Sequence, residues 1–133
     1  MRFVLDPSVA ITWALRDEDH PLADLAFEAL GLGSAIVPAI WWYELRNVLI
    51  QSERRGRSTP GDSAQFMNDI DGFKIEIAPL GLGTEIMELS RRHKLTIYDA
   101  AYLELAQREH LPLATLDRAL EAAARSAGIA LLT

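Results

Sequence analysis

Apolar and polar positions along this chain switch repeatedly between two periods, and that switching is the first structural information it gives. Phe3-Val4-Leu5 is a short apolar run closed by Asp6-Pro7-Ser8, the pattern of a buried strand feeding a turn. Val9 to Leu15 follows with helical spacing, Asp17-Glu18-Asp19-His20 is a polar break, and Pro21 suits the first turn of a helix to about Leu30 that Gly31 and Gly33 should stop. Ala35-Ile36-Val37 predicts a second strand. Beyond Pro38, Trp41, Leu45, Val48 and Leu49 fall on one helical face, and Arg54-Arg55-Gly56 ends that helix. Glu44 lies three residues from Trp41 and four from Val48, so the spacing turns a carboxylate toward an apolar face, where it is costly unless partnered.

Thr59-Pro60 with Asp62 is a cap with proline at the first helical position, predicting a helix to about Ile70 and a helical hairpin. Phe73, Ile75 and Ile77 alternate and predict a third strand. Helices are expected from Thr84 to His93 and from Tyr98-Asp99 to about His110. Leu113-Ala114-Thr115 should be a fourth strand, Asp117 the cap of a helix to Ser126, and Ile129 to Leu132 a fifth strand. Strands alternating with helices argue for a parallel α/β sandwich with helices on both faces, and ligands in such sheets bind beyond the carboxyl ends of the strands. Asp6 and Asp117 each follow a predicted strand and share that edge. Glu44 and Asp99 lie near helix starts that could face it.

Composition narrows the picture. With 133 residues, half of them hydrophobic, the chain can bury the core of one domain, and residues 1–133 are read as one. No cysteine is present, which excludes a disulfide framework or a thiolate metal site. The uncharged stretch between Glu28 and Glu44 is broken by glycine and proline and falls short of a membrane span, and the N-terminus lacks the pattern of a signal peptide, so the cytoplasm is expected. A formal charge of −6 argues against a broad basic grip on nucleic acid, unless carboxylates cluster around cations that reverse the local field.

Converging Asp and Glu side chains are what a hard divalent cation needs, and two such ions can activate water and stabilise the leaving oxygen of a phosphodiester. Four segments carry a resemblance on this point: Val4-Leu5-Asp6-Pro7-Ser8; Pro38 followed by Trp42-Tyr43-Glu44-Leu45-Arg46-Asn47-Val48-Leu49; Tyr98-Asp99-Ala100-Ala101-Tyr102; and Leu113-Ala114-Thr115-Leu116-Asp117. In this order they resemble the PIN-domain ribonucleases, and among these the VapC-type toxins of bacterial toxin-antitoxin pairs.

The resemblance implies a three-layer α/β/α sandwich with a five-stranded parallel sheet, and a magnesium or manganese site made by Asp6, Glu44, Asp99 and Asp117. Ser8 and Thr115 would be supporting hydroxyls. It further implies an RNA substrate cut by metal-activated water to leave 5′-phosphate and 3′-hydroxyl ends, a cognate antitoxin, a homodimer, promoter DNA bound only through the antitoxin, and no membrane.

Arg54, Arg55 and Arg57 form the densest basic stretch and are candidates for the RNA backbone, although a solvated helix end explains them equally well. Trp41, Trp42, Phe66 and Met67 are read as core or as a groove for a partner. His20, His93 and His110 receive no role. Gly81-Leu82-Gly83 lacks Walker spacing and is discounted as a phosphate loop. Two other functions fit a similar sheet: a non-catalytic binding module, against which the intact carboxylates speak, and an aspartyl phosphatase, which typically wants a second aspartate where Ser8 stands.

Overall fold

The computed structural model describes residues 1–15 and 19–133; Asp17 and Glu18 of the expected polar break lie outside the described residues. Four parallel strands, β1 (Arg2–Leu5), β2 (Ser34–Val37), β3 (Ile75–Ile77) and β4 (Leu113–Ala114), lie in the order β3-β2-β1-β4. Phe3 pairs with Ala35 and Val4 with Ile36 on one side of β1, while Leu5 pairs with Ala114 on the other. Phe3, Val4, Leu5, Ala35, Val37, Leu113 and Ala114 are fully buried, as continuous apolar strands covered on both faces must be.

The helices are α1 (Pro7–Ala14), α2 (Pro21–Leu32), α3 (Ile40–Arg54), α4 (Pro60–Ile70), α5 (Gly83–His93), α6 (Ile97–Glu109) and α7 (Arg118–Ser126). Helices α1 to α4 pack among themselves, and α5 and α7 pack on α6. The chain steps from β1 through β2 to β3 in one direction, then returns past β1 to β4. Right-handed crossovers therefore place the two helical groups on opposite faces of the sheet. The reversal also makes the gap between the carboxyl ends of β1 and β4 a topological switch point, where ligands of open α/β sheets bind.

The expected fifth strand is corrected to a single parallel bridge between Leu113 and Leu131, held by Leu113 N–H to Ala130 O and Leu132 N–H to Leu113 O, each 2.9 Å. Helix α2 continues through Gly31, because a glycine weakens a helix without stopping it, and ends at Gly33, where a Cβ would collide with the Met1 carbonyl. Helix α4 begins as the sequence indicates: Thr59 accepts from Asp62 N–H at 3.1 Å, and Asp62 accepts from Thr59 N–H at 2.9 Å.

Candidate active site

Asp6 directly follows β1 and stands at the N-cap position of α1, so strand and helix together fix its backbone beside the switch point. Its carboxylate is buried, and both of its side-chain partners donate to the same oxygen, Oδ2: Ser8 Oγ at 2.5 Å and Thr115 Oγ1 at 3.0 Å. Each hydroxyl oxygen is in turn held by a backbone amide of the β4–α7 turn. Leu116 N–H donates to Ser8 Oγ at 2.9 Å and Asp117 N–H to Thr115 Oγ1 at 3.0 Å. A hydroxyl whose oxygen already accepts an amide must turn its own proton elsewhere, so both protons point at Asp6. The network ties the turn after β1 to the turn after β4.

Burial pushes the Asp6 carboxyl up from 3.8 to about 6, the hydroxyl donors from Ser8 and Thr115 work against that rise, and the nearby Glu44 carboxylate adds to it. Glu44, on the second turn of α3, is half-buried. Tyr102 of α6, fully buried, donates its hydroxyl to Glu44 Oε1 at 2.6 Å. Burial also raises the Glu44 pKa, the Tyr102 bond opposes the rise, and Asp99 reinforces it. Tyr102 itself is raised far from its ordinary value by burial, by the bond to Glu44 and by three neighbouring carboxylates, so its proton stays in place.

Asp99 lies in the first turn of α6, but the cap is Thr96, whose hydroxyl accepts the Asp99 N–H at 3.1 Å. Burial raises the Asp99 pKa and Asp117 raises it further, while the Thr96 hydroxyl lowers it. Asp117 is exposed and caps α7, its Oδ1 accepting Leu120 N–H at 2.9 Å. The four carboxylates thus form a row in which each feels the next: Asp6, Glu44, Asp99, Asp117. As the side chains stand, no three acidic or histidine groups among the described residues close around one point. Glu44 is held back by Tyr102 and Asp117 is turned to its cap.

The chemistry of this donor set fits a hard divalent cation. Three of the four carboxylates are raised by burial and mutual repulsion, and among the described residues no Lys or Arg forms an ion pair with any of the four.

The other residues singled out in the sequence lie apart. Arg54, Arg55 and Arg57 are exposed at and beyond the end of α3, whose last residue, Arg54, lies about 15 Å along the helix axis from Glu44. Trp41 and Phe66 are core, Met67 packs against the core, and Trp42 turns outward against Tyr43 and beneath Arg46. A cavity of about 850 Å³ opens between α1 and α4, lined by Trp13, Arg57 and Phe66 among others. Gly81 has a structural role: a Cβ there would collide with the buried Glu104 carboxylate, which Arg108 grips through two nitrogens at 2.9 and 3.2 Å. The sequence assigns no role to Tyr102, because its partner Glu44 lies 58 residues away on another helix.

No curated protein sequence matches the chain. A crystal structure of the protein PAE2754 from Pyrobaculum aerophilum is similar with a TM-score of 0.72 at 23% identity, over 92% of this chain and 84% of that one. A toxin-antitoxin complex from Klebsiella pneumoniae is similar with a TM-score of 0.57 at 20% identity, over 84% of this chain and 82% of that one. The family model described as the PIN domain matches residues 3–126, a span that holds all four carboxylates and both hydroxyls. The chain belongs to the PIN domain family.

Proposed function

We propose that the protein is a metal-dependent endoribonuclease and the toxin of a type II toxin-antitoxin pair of VapC type, with residues 1–133 forming one nuclease domain. The observation that carries this reading is Asp6: a buried carboxylate at the switch point, oriented by two hydroxyls, beside the half-buried Glu44, with no Lys or Arg among the described residues in an ion pair with either. Such a pair costs folding free energy when empty, and a bound cation relieves that cost. Membership of the PIN family supports the nuclease class, and the Klebsiella pneumoniae neighbour supports a toxin with an antitoxin partner.

Asp6, Glu44, Asp99 and Asp117 would hold magnesium or manganese. When bound, such a cation supplies positive charge that draws the phosphate and makes water a stronger nucleophile. The chain's own groups set the stage for it. Ser8 and Thr115 fix Asp6 Oδ2, Tyr102 fixes Glu44 Oε1, and Thr96 fixes the start of α6 on which Asp99 stands. Attack of a water oxygen on phosphorus, with rupture of the bond to the 3′ oxygen and protonation of that oxygen, leaves 5′-phosphate and 3′-hydroxyl ends.

Arg54, Arg55 and Arg57 would meet RNA backbone away from the scissile bond. The cavity between α1 and α4, with apolar walls at Trp13 and Phe66 and charges at Arg57, Asp62 and Asp69, would take a segment of the antitoxin. A cytoplasmic homodimer whose complex with antitoxin binds promoter DNA completes the reading; among the described residues no helix is long and apolar enough to cross a membrane.

Mapping RNA 5′ ends after brief induction, beside an Asp6→Ala control, tests the proposal. New 5′-phosphate ends that the control lacks are expected. Identical end maps for both proteins would contradict it.

A further inference from the structure

Two of the acidic residues in the row, Glu44 and Asp99, are each preceded by a tyrosine, and both rings are exposed, Tyr43 at 64% and Tyr98 at 59%. They belong to different helices, α3 and α6, yet they line one open cavity of about 440 Å³ together with Ile40, Asn47 and Glu44 itself. Ile40, Tyr43, Glu44 and Asn47 are spaced i, i+3, i+4 and i+7, so they form a single stripe of α3, and Tyr98 faces that stripe.

We propose that this cavity is a nucleobase subsite, in which an unpaired base of the RNA next to the scissile phosphate stacks on Tyr43 and Tyr98 and meets the Asn47 amide at its edge. The inference rests on the nuclease reading above and adds to it the means by which substrate is held.

The charge balance favours such a contact. A chain of net charge −6 gains little from the sequence-independent attraction of cations to phosphates that dominates most nucleic-acid binding. Arg46, the cation on this part of α3, is engaged elsewhere: its guanidinium lies 3.6 Å from the centre of the Trp42 ring and donates to the Trp42 carbonyl at 3.1 Å. Stacking on aromatic side chains is the other general source of affinity for single strands, and it is indifferent to net charge.

The cavity suits a base in two further respects. Tyr43 is braced by an edge contact with Trp42, ring centres 5.1 Å apart, so its face is set before any ligand arrives. Asn47, exposed on the same stripe, offers both donors and an acceptor to a heterocycle edge. Because Glu44 is part of the wall, a base seated here leaves its own phosphate beside the carboxylate row.

The test uses the purified full chain, magnesium, and a set of short single-stranded RNAs in which one nucleotide at a time near the cut is abasic. With the parent, one abasic position should lower kcat/KM on the order of ten- to a hundred-fold. Tyr98→Ala and Tyr43→Ala should show a similar loss on intact RNA and no further loss on that abasic RNA, because base and ring contribute one shared contact. Tyr98→Phe should restore cleavage.

Losses that add, or no sensitive position, overturn the subsite while leaving the nuclease reading intact. A change of oligomeric state in Tyr43→Ala or Tyr98→Ala, seen by sedimentation, overturns it in favour of an interface with a second copy. A parent that cleaves none of the RNAs overturns both readings.

Discussion

Thr115 and Asp6, 109 residues apart in sequence, are joined by a hydrogen bond of 3.0 Å whose direction is set by the Asp117 amide on the far side of the hydroxyl. Thr115→Val keeps the shape and removes both bonds, leaving a buried carboxylate one donor short. It should lower unfolding free energy by about 1 to 3 kcal/mol in urea melts, and Thr115→Ser should recover most of that. Cleavage should slow less than in Asp6→Asn, since on the proposed reading the hydroxyl only orients the carboxylate that would bind the ion. Equal loss of cleavage in both variants would reverse that ranking.

Asp6 also makes stability depend on pH. Its carboxyl titrates near 3.8 unfolded and at about 6 folded, so between those values the folded chain holds a proton that the unfolded chain has lost. Its contribution to stability is therefore present below the lower value and disappears as pH rises through the upper one, amounting to about 3 kcal/mol. In chelator, the stability of Asp6→Asn relative to the parent should climb between pH 4 and 6, roughly the interval separating the two titrations. A flat difference across that interval would contradict the assigned burial and repulsion.

At the start of α6, capping and candidate ligation fall on different residues. Thr96→Ala should cost about 1 kcal/mol through loss of the cap, whereas Asp99→Asn, relieved of repulsion from its neighbours, should melt no lower than the parent in chelator. Magnesium should then raise the parent's melting temperature more than the mutant's. If Asp99→Asn melts far below the parent, Asp99 is structural.

Tyr102 positions Glu44. Tyr102→Phe fills the same space but leaves Glu44 Oε1 without its donor, and activity or metal affinity should fall on the order of ten- to a hundred-fold. A metal titration of cleavage distinguishes this from unfolding: the variant should need more metal while its melting temperature stays within a few degrees of the parent's.

The parts of this fold that were legible in the sequence are those where local chemistry and tertiary packing agree. Thr59-Pro60-Gly61-Asp62 can hardly be anything but a helix start, and the apolar runs at Val4 and Ile36 can only be buried strands. The β1 and β4 ends also placed Asp6 and Asp117 on one edge. What was not legible depends on long-range partners. Residues 129–132 have strand composition but form one bridge, and Trp41 and Trp42 are adjacent and chemically alike, yet one is core and the other surface. Gly81 owes its place to Glu104, and Tyr102 its role to Glu44, contacts that no local pattern encodes.

The most direct test of the account is cleavage of a single-stranded RNA by the purified parent and by Asp6→Asn, each with magnesium, with manganese and with chelator, followed by identification of the new ends. The account predicts cleavage by the parent with either metal, 5′-phosphate and 3′-hydroxyl products, and none in chelator or with Asp6→Asn. Full-rate cleavage in chelator, or an Asp6→Asn protein as active as the parent, would contradict it.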